Sequence, residues 1–98
     1  MTAHAPSWSL IPEHMIDGVR HYIENGIEPG SFLSAVLQND LRQAVECADE
    51  ININRLPDYI RFFYNHAPYG SWGSVEAFNA WIAHRGLSGL EETQENPR

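Results

Sequence analysis

His14, Asp17, His21 and Glu24 recur at i, i+3, i+7 and i+10. On one helix that spacing gathers two imidazoles and two carboxylates within an arc of about 80°. These are donors that zinc or iron accepts. His14 and His21 nevertheless lie nearly two turns apart, whereas metal pairs on adjacent turns use i, i+3 or i+4. No HExxH run or second ligand motif accompanies them. The stripe also stands opposite an apolar face, so a solvated helix surface is expected, with no metal and no other cofactor.

Nucleophilic chemistry is the next possibility. Ser71, Ser74 and His66 are close in sequence, and Asp58 precedes the histidine by about two helical turns,. A triad can be drawn from them, but no strand and no G-x-S-x-G elbow presents either serine. Ser74 is better placed as a helix cap. Cys47 lies in a helical segment without an adjacent histidine. Gly70 and Gly73 follow no strand and precede no GK[ST], so they make no phosphate loop. These residues point away from an enzyme.

The same region, FYNHAPYGSWGS at 63–74, concentrates Phe63, Tyr64, Tyr69 and Trp72. Exposed aromatics stack on nucleobases when a basic groove accompanies them, and this loop has neither lysine nor arginine. Trp72 is expected to fold inward as a clasp between helices; Tyr69 can face either way.

Charge is the strongest compositional signal. Thirteen acidic residues oppose six basic ones for a net charge of −7, and all six basic residues are arginine. A chain without lysine is poorly equipped to hold a phosphate backbone, so no direct nucleic-acid binding is expected. Its field favours a basic protein partner. Glu24 and Glu28 flank one turn, and Asp40, Glu46, Asp49 and Glu50 run along and past one helix with only Arg42 among them. Carboxylates spaced this way can imitate phosphates along a strand, or they can form an ordinary solvated face.

The elements that position these groups read as helices. At 98 residues and 43% hydrophobic content there is room for one core,. PEHMIDGVRHYIEN opens on Pro12, closes at Gly26, and carries Met15, Ile16, Val19, Tyr22 and Ile23 on one side. Ser31 is the expected cap of a helix with Phe32, Leu33, Val36 and Leu37 inward. A helix beginning near Asn39 or Asp40 would bury Leu41, Ala44, Val45 and Ala48. Phase then places a break at Asp49, followed by a helix bent at Pro57 with Ile53, Leu56, Ile60 and Phe63 on its inner face, ending near His66. In that reading Tyr64 helps to finish a buried helix. Ser74 caps the last helix, which buries Val75, Phe78, Trp81 and Ile82 and ends at Gly86.

No strict alternation suggests a sheet, and no internal repeat is found. The expected fold is all-α, a compact bundle of about five short helices in a single domain over 11–87. An N-terminal extension spans 1–10 and a flexible acidic tail spans 88–98. No stretch approaches the ~18 apolar residues of a membrane span, and MTAHAPSWSL lacks the basic and apolar regions of a signal peptide. One cysteine excludes an intramolecular disulfide and fits a reducing cytoplasm,.

The run YIENGIEPGSFLSAVLQNDLRQAVECADEIN, followed by FFYNHAP and SWGSVEAFNAWI, resembles a group of small proteins encoded in phages, prophages and mobile elements of proteobacteria. The likeness spans about residues 11 to 87. Some small acidic proteins from that setting are anti-CRISPR proteins that block type I surveillance complexes. The resemblance carries no catalytic motif, so it transfers no catalytic residue, and Pro57 departs from the uninterrupted helix expected before FFYN.

Together these features lead to the expectation of a non-enzymatic inhibitor in the bacterial host cytoplasm. It would bind a nucleic-acid-handling complex, most naturally a type I CRISPR surveillance complex. Glu24, Glu28, Asp40, Glu46, Asp49 and Glu50 would occupy arginines and lysines that otherwise hold DNA, with Tyr69 and Trp72 as apolar anchors. The alternative is a phage structural or regulatory adaptor that binds a protein, or a second copy of itself, through apolar helix faces.

Overall fold

The computed structural model describes residues 8–89. Two short 3-10 turns, Trp8–Leu10 and Glu13–Met15, lead into α1 (Ile16–Asn25). Then follow α2 (Ser31–Leu37), α3 (Leu41–Cys47), α4 (Glu50–Asn54), α5 (Leu56–His66) and α6 (Val75–Ala83). Residues 86–89 form a final helical turn, and no strand occurs among the described residues. The fold is therefore all-α, and α1, α2, α3, α5 and α6 are its main helices. No helix among the described residues is long and apolar enough to cross a membrane.

Helix α2 is central because Phe32, Leu33, Ala35, Val36 and Leu37 are all buried, an apolar surface that only an interior helix can hide,. It packs on α3 and α6. Around it lie Val19 and Tyr22 of α1, Tyr59, Phe62 and Phe63 of α5, and Phe78 and Trp81 of α6. Each such side chain contributes about 1.5–3 kcal/mol by leaving water. Polar atoms of the core are matched too. Trp81 Nε1 donates to the Tyr22 carbonyl at 2.9 Å, and Tyr59 Oη donates to Asn52 Oδ1 at 2.7 Å.

Helix ends follow local chemistry. Gly26 closes α1 in the left-handed region at φ 66°, where its amide bonds the Tyr22 carbonyl,. Its backbone passes so close to Gly86, itself at φ 61°, that a Cβ on Gly26 would stand 2.8 Å from the Gly86 nitrogen. Asp40, Asp49 and Ser74 cap α3, α4 and α6 by accepting from the amides of Gln43, Asn52 and Ala77,. Ser31 does not cap α2. Gly30 is the N-cap and Ser31 the first helical residue, while the Ser34 hydroxyl donates to the Pro29 carbonyl.

Three inward faces differ from those the pattern suggested. In α3 only Ala44 is buried; Leu41 and Val45 are 67% and 48% exposed, and Ala48 is half-buried. A small residue at the contact lets α3 lie close against α2, which turns its branched neighbours outward. In α5 the interior is taken by Tyr59, Phe62 and Phe63, while Ile53 of α4 and Ile60 and Tyr64 of α5 are exposed. Three aromatic rings at i, i+3 and i+4 bury more area than the aliphatic stripe they displace. Val75, in the first turn of α6, is also exposed.

Pro57 does not bend a continuous helix. The chain breaks at Arg55, at φ −110° and ψ 8°, and Pro57 sits in the first turn of α5, where its missing N–H has no helical partner to lose,. Arg55 secures the break: Nε donates to Asp58 Oδ2 at 2.7 Å, and the terminal nitrogen donates to the carbonyls of Ser9 and Leu10. The folded part consequently begins before residue 11, and Trp8 lies 4.9 Å from Phe62, ring to ring. At the other end Ser88 donates to the Glu24 carbonyl, which holds the chain past residue 87. The rest of the expected extension and acidic tail, 1–7 and 90–98, lies outside the described residues.

Candidate partner-binding surface

The groups that suggested catalysis are occupied structurally. The buried Ser71 hydroxyl donates to the Pro68 carbonyl at 2.7 Å, and Ser74 Oγ accepts its capping bond. Asp58 accepts from Arg55 and Arg61. The His66 ring lies against Phe62, and Cys47 Sγ is 3.3 Å from Gln43 Nε2. Of the histidine stripe, His14, Asp17, His21 and Glu24 are all exposed. His14 turns to Asp49, 3.4 Å away, instead of to its own stripe. No group of three or more potential metal ligands occurs among the described residues.

The carboxylates expected to meet a partner divide into three sets. Asp40 and Asp49 are helix caps, and one oxygen of each already accepts from a backbone amide. The Asn52 amide, with the His14 ring adding to it, holds the Asp49 carboxyl below its ordinary value against the opposing effect of desolvation. Glu46 stands 3.4 Å from Arg42, one turn away on α3. Glu24, Glu28 and Glu50 are exposed, with no side-chain ion pair among the described residues. The six acids span four segments of the fold, from α1 to α4. They do not make one continuous row along a single helix.

Aromatic positions are clearer. The Trp72 ring is half-buried, 5.6 Å from Phe63, and acts as the clasp. Tyr69 is fully exposed and Tyr64 is 80% exposed. Both tyrosines line a shallow depression with Trp72 over the 67–73 loop. The loop is anchored beneath them by the Tyr22 hydroxyl on the Ser71 carbonyl at 2.6 Å and by the Gly73 amide on the Leu37 carbonyl at 2.8 Å. Burial pushes the Tyr22 phenol well above its ordinary value, so it stays a neutral donor.

One turn before Tyr64 on α5, Ile60 lines a second depression with Leu41, Ala44 and Leu56, and Asp40 stands at its edge. The two depressions share no residue, but Ile60 of one and Tyr64 of the other are exposed neighbours at i, i+4 on α5,. The sequence pattern places Leu41, Ile60 and Tyr64 inward, whereas the structure exposes all three. For Ile60 and Tyr64 the signal lies in the crowding of α5, where they stand about 100° and 140° around the helix from Tyr59. They cannot share the inner face with Tyr59, Phe62 and Phe63.

Comparison with protein-family models, with curated proteins and with solved structures finds no match to this chain.

Proposed function

We propose that the protein acts by binding another protein, without catalysis, and that its contact surface is the apolar strip of Leu41, Ile60, Tyr64 and Tyr69. The observation that carries this reading is the exposure of Leu41 and Ile60 around one depression and, one turn further along α5, of Tyr64 beside Tyr69 and Trp72 around another. Tyrosines there supply area with few rotors to immobilise, as expected of interface anchors. The strip itself carries no charged side chain, although Arg42, Glu46 and Arg61 stand on the same helices.

A partner with a basic face suits the net charge of −7 and the absence of lysine,. With the phage-like resemblance, this makes an inhibitor of a type I CRISPR surveillance complex in the host cytoplasm our leading assignment. Carboxylates would raise the association rate and the apolar strip would slow dissociation. Phosphate mimicry would fall to Glu24, Glu28, Glu46 and Glu50, because Asp40 and Asp49 serve as caps. The second reading, an adaptor or homodimer docked through the same strip, is favoured by that strip's apolar character.

Binding to immobilised, purified type I surveillance complexes tests the assignment, measured from low to moderate salt. Our reading predicts that the association rate falls with salt while the dissociation rate changes little. Absence of binding, together with a dimer in sedimentation equilibrium, would favour the second reading.

A further inference from the structure

A cleft of about 210 Å³ lies among Trp8, Ile23, Phe62 and Leu87, with Arg20 and Glu24 as its charged groups. The His66 ring, 5.4 Å from that of Phe62, also borders it. The Arg20 guanidinium lies over Trp8, its carbon 5.3 Å from the ring centroid. A cation over a ring is held by the ring's quadrupole and uses none of its N–H donors in a hydrogen bond to an acceptor oxygen.

Arg20 and Glu24 are spaced i, i+4 on α1, where opposite charges ordinarily meet, yet among the described residues they form no ion pair. Their order, cation before anion, is the weaker one for a helical pair. Apart from the Trp8 ring beneath Arg20, neither charged group has a side-chain partner among the described residues, and both stand beside an apolar pocket. A cavity of about 150 Å³ accommodates benzene, and pockets for drug-sized ligands begin near 300 Å³. The cleft suits one ring or one branched aliphatic group attached to a short polar head.

We propose that this cleft binds a free α-amino acid with an apolar side chain. Its carboxylate meets the N–H edge of Arg20 and its ammonium meets the carboxylate of Glu24. The side chain packs on Trp8, Ile23, Phe62 and Leu87. None of Leu41, Ile60, Tyr64 and Tyr69 lines this cleft, although Glu24 also belongs to the carboxylates proposed to meet a protein partner and Pro68 borders the Tyr69 depression as well.

Titration of the full chain with L-phenylalanine and L-leucine, followed by amide chemical shifts, tests the proposal. Phenylacetate lacks the ammonium and phenethylamine lacks the carboxylate. The amino acids are expected to bind with a dissociation constant on the order of 1 mM, and each single-charge analogue about tenfold or more weaker. Arg20→Gln should weaken L-phenylalanine to the level of phenethylamine, and Glu24→Gln should weaken it to the level of phenylacetate. Both positions are exposed, and unchanged circular dichroism will show that the variants are folded. No saturable shift at about 20 mM amino acid overturns the proposal. So does L-phenylalanine binding no tighter than both analogues, or binding that both substitutions leave intact.

Discussion

The hydroxyl of Tyr22 donates to the carbonyl of Ser71 at 2.6 Å, joining the first helix to the aromatic loop across 49 residues of sequence. Both residues are fully buried. Tyr22→Phe removes the donor and leaves the Ser71 carbonyl short of one partner. The expected loss is about 1–3 kcal/mol, with faster amide exchange over 67–74. Denaturant unfolding and hydrogen exchange check it; unchanged exchange in the loop would mean that Tyr22 does not anchor the ledge.

Asn52 and Tyr59 form the corresponding buried pair across the break at Arg55. Burial is the main cause raising the Tyr59 phenol above its ordinary value, so it donates in neutral form. Asn52→Ala should cost about 1–3 kcal/mol, because a buried hydroxyl loses its acceptor. Adding Tyr59→Phe should recover part of that loss, and a double-mutant cycle measures the coupling directly. Strict additivity would contradict the pairing.

Backbone contact between Gly26 and Gly86 predicts a contrast. Gly86→Ala places a methyl 2.7 Å from the Gly26 nitrogen at a left-handed φ of 61°. A loss of about 2 kcal/mol or more is expected. Gly30, at φ −68° with nothing within 4 Å of an added Cβ, caps α2 without a side chain. Gly30→Ser should stabilise by about 0.5 kcal/mol. Urea midpoints of both variants decide the matter.

The lowered Asp49 carboxyl makes one contribution dependent on pH. A group whose folded pKa is depressed stabilises above its ordinary pKa, and that stabilisation disappears as pH falls through the folded value. The stability gap between the wild type and Asp49→Ala should therefore be constant above about pH 5 and narrow below about pH 4. A gap that stays constant to low pH would remove the carboxylate from the account of this cap.

Much of the framework was legible because it depends on local rules. Asp40, Asp49 and Ser74 as caps, Gly26 as terminator and the end of α5 at His66 all follow from short-range chemistry. The inner faces of α3 and α5 were less legible. Leu41, Ala44 and Val45 satisfy helical spacing equally well, and only the approach of α2 selects Ala44. Pro57 alone permits either a bend or a start; the bonds from Arg55 to Ser9 and Leu10, some 45 residues away, accompany the start. The candidate surface depends on those same non-local choices, so the sequence marks Tyr69 as a candidate but its periodicity places Leu41, Ile60 and Tyr64 inside.

Two variant sets measured on one target separate the account's parts. Leu41→Ser/Ile60→Ser/Tyr69→Ser removes the apolar strip at exposed positions, and Glu24→Gln/Glu28→Gln/Glu50→Gln removes carboxylates that cap no helix. The readout is inhibition of target-DNA binding by a purified type I surveillance complex. We expect the apolar set to weaken inhibition by about 30-fold or more, as loss of an interface centre does, and the acidic set to act less strongly and mainly at low salt. Undiminished inhibition by the folded apolar variant would contradict the surface proposed here.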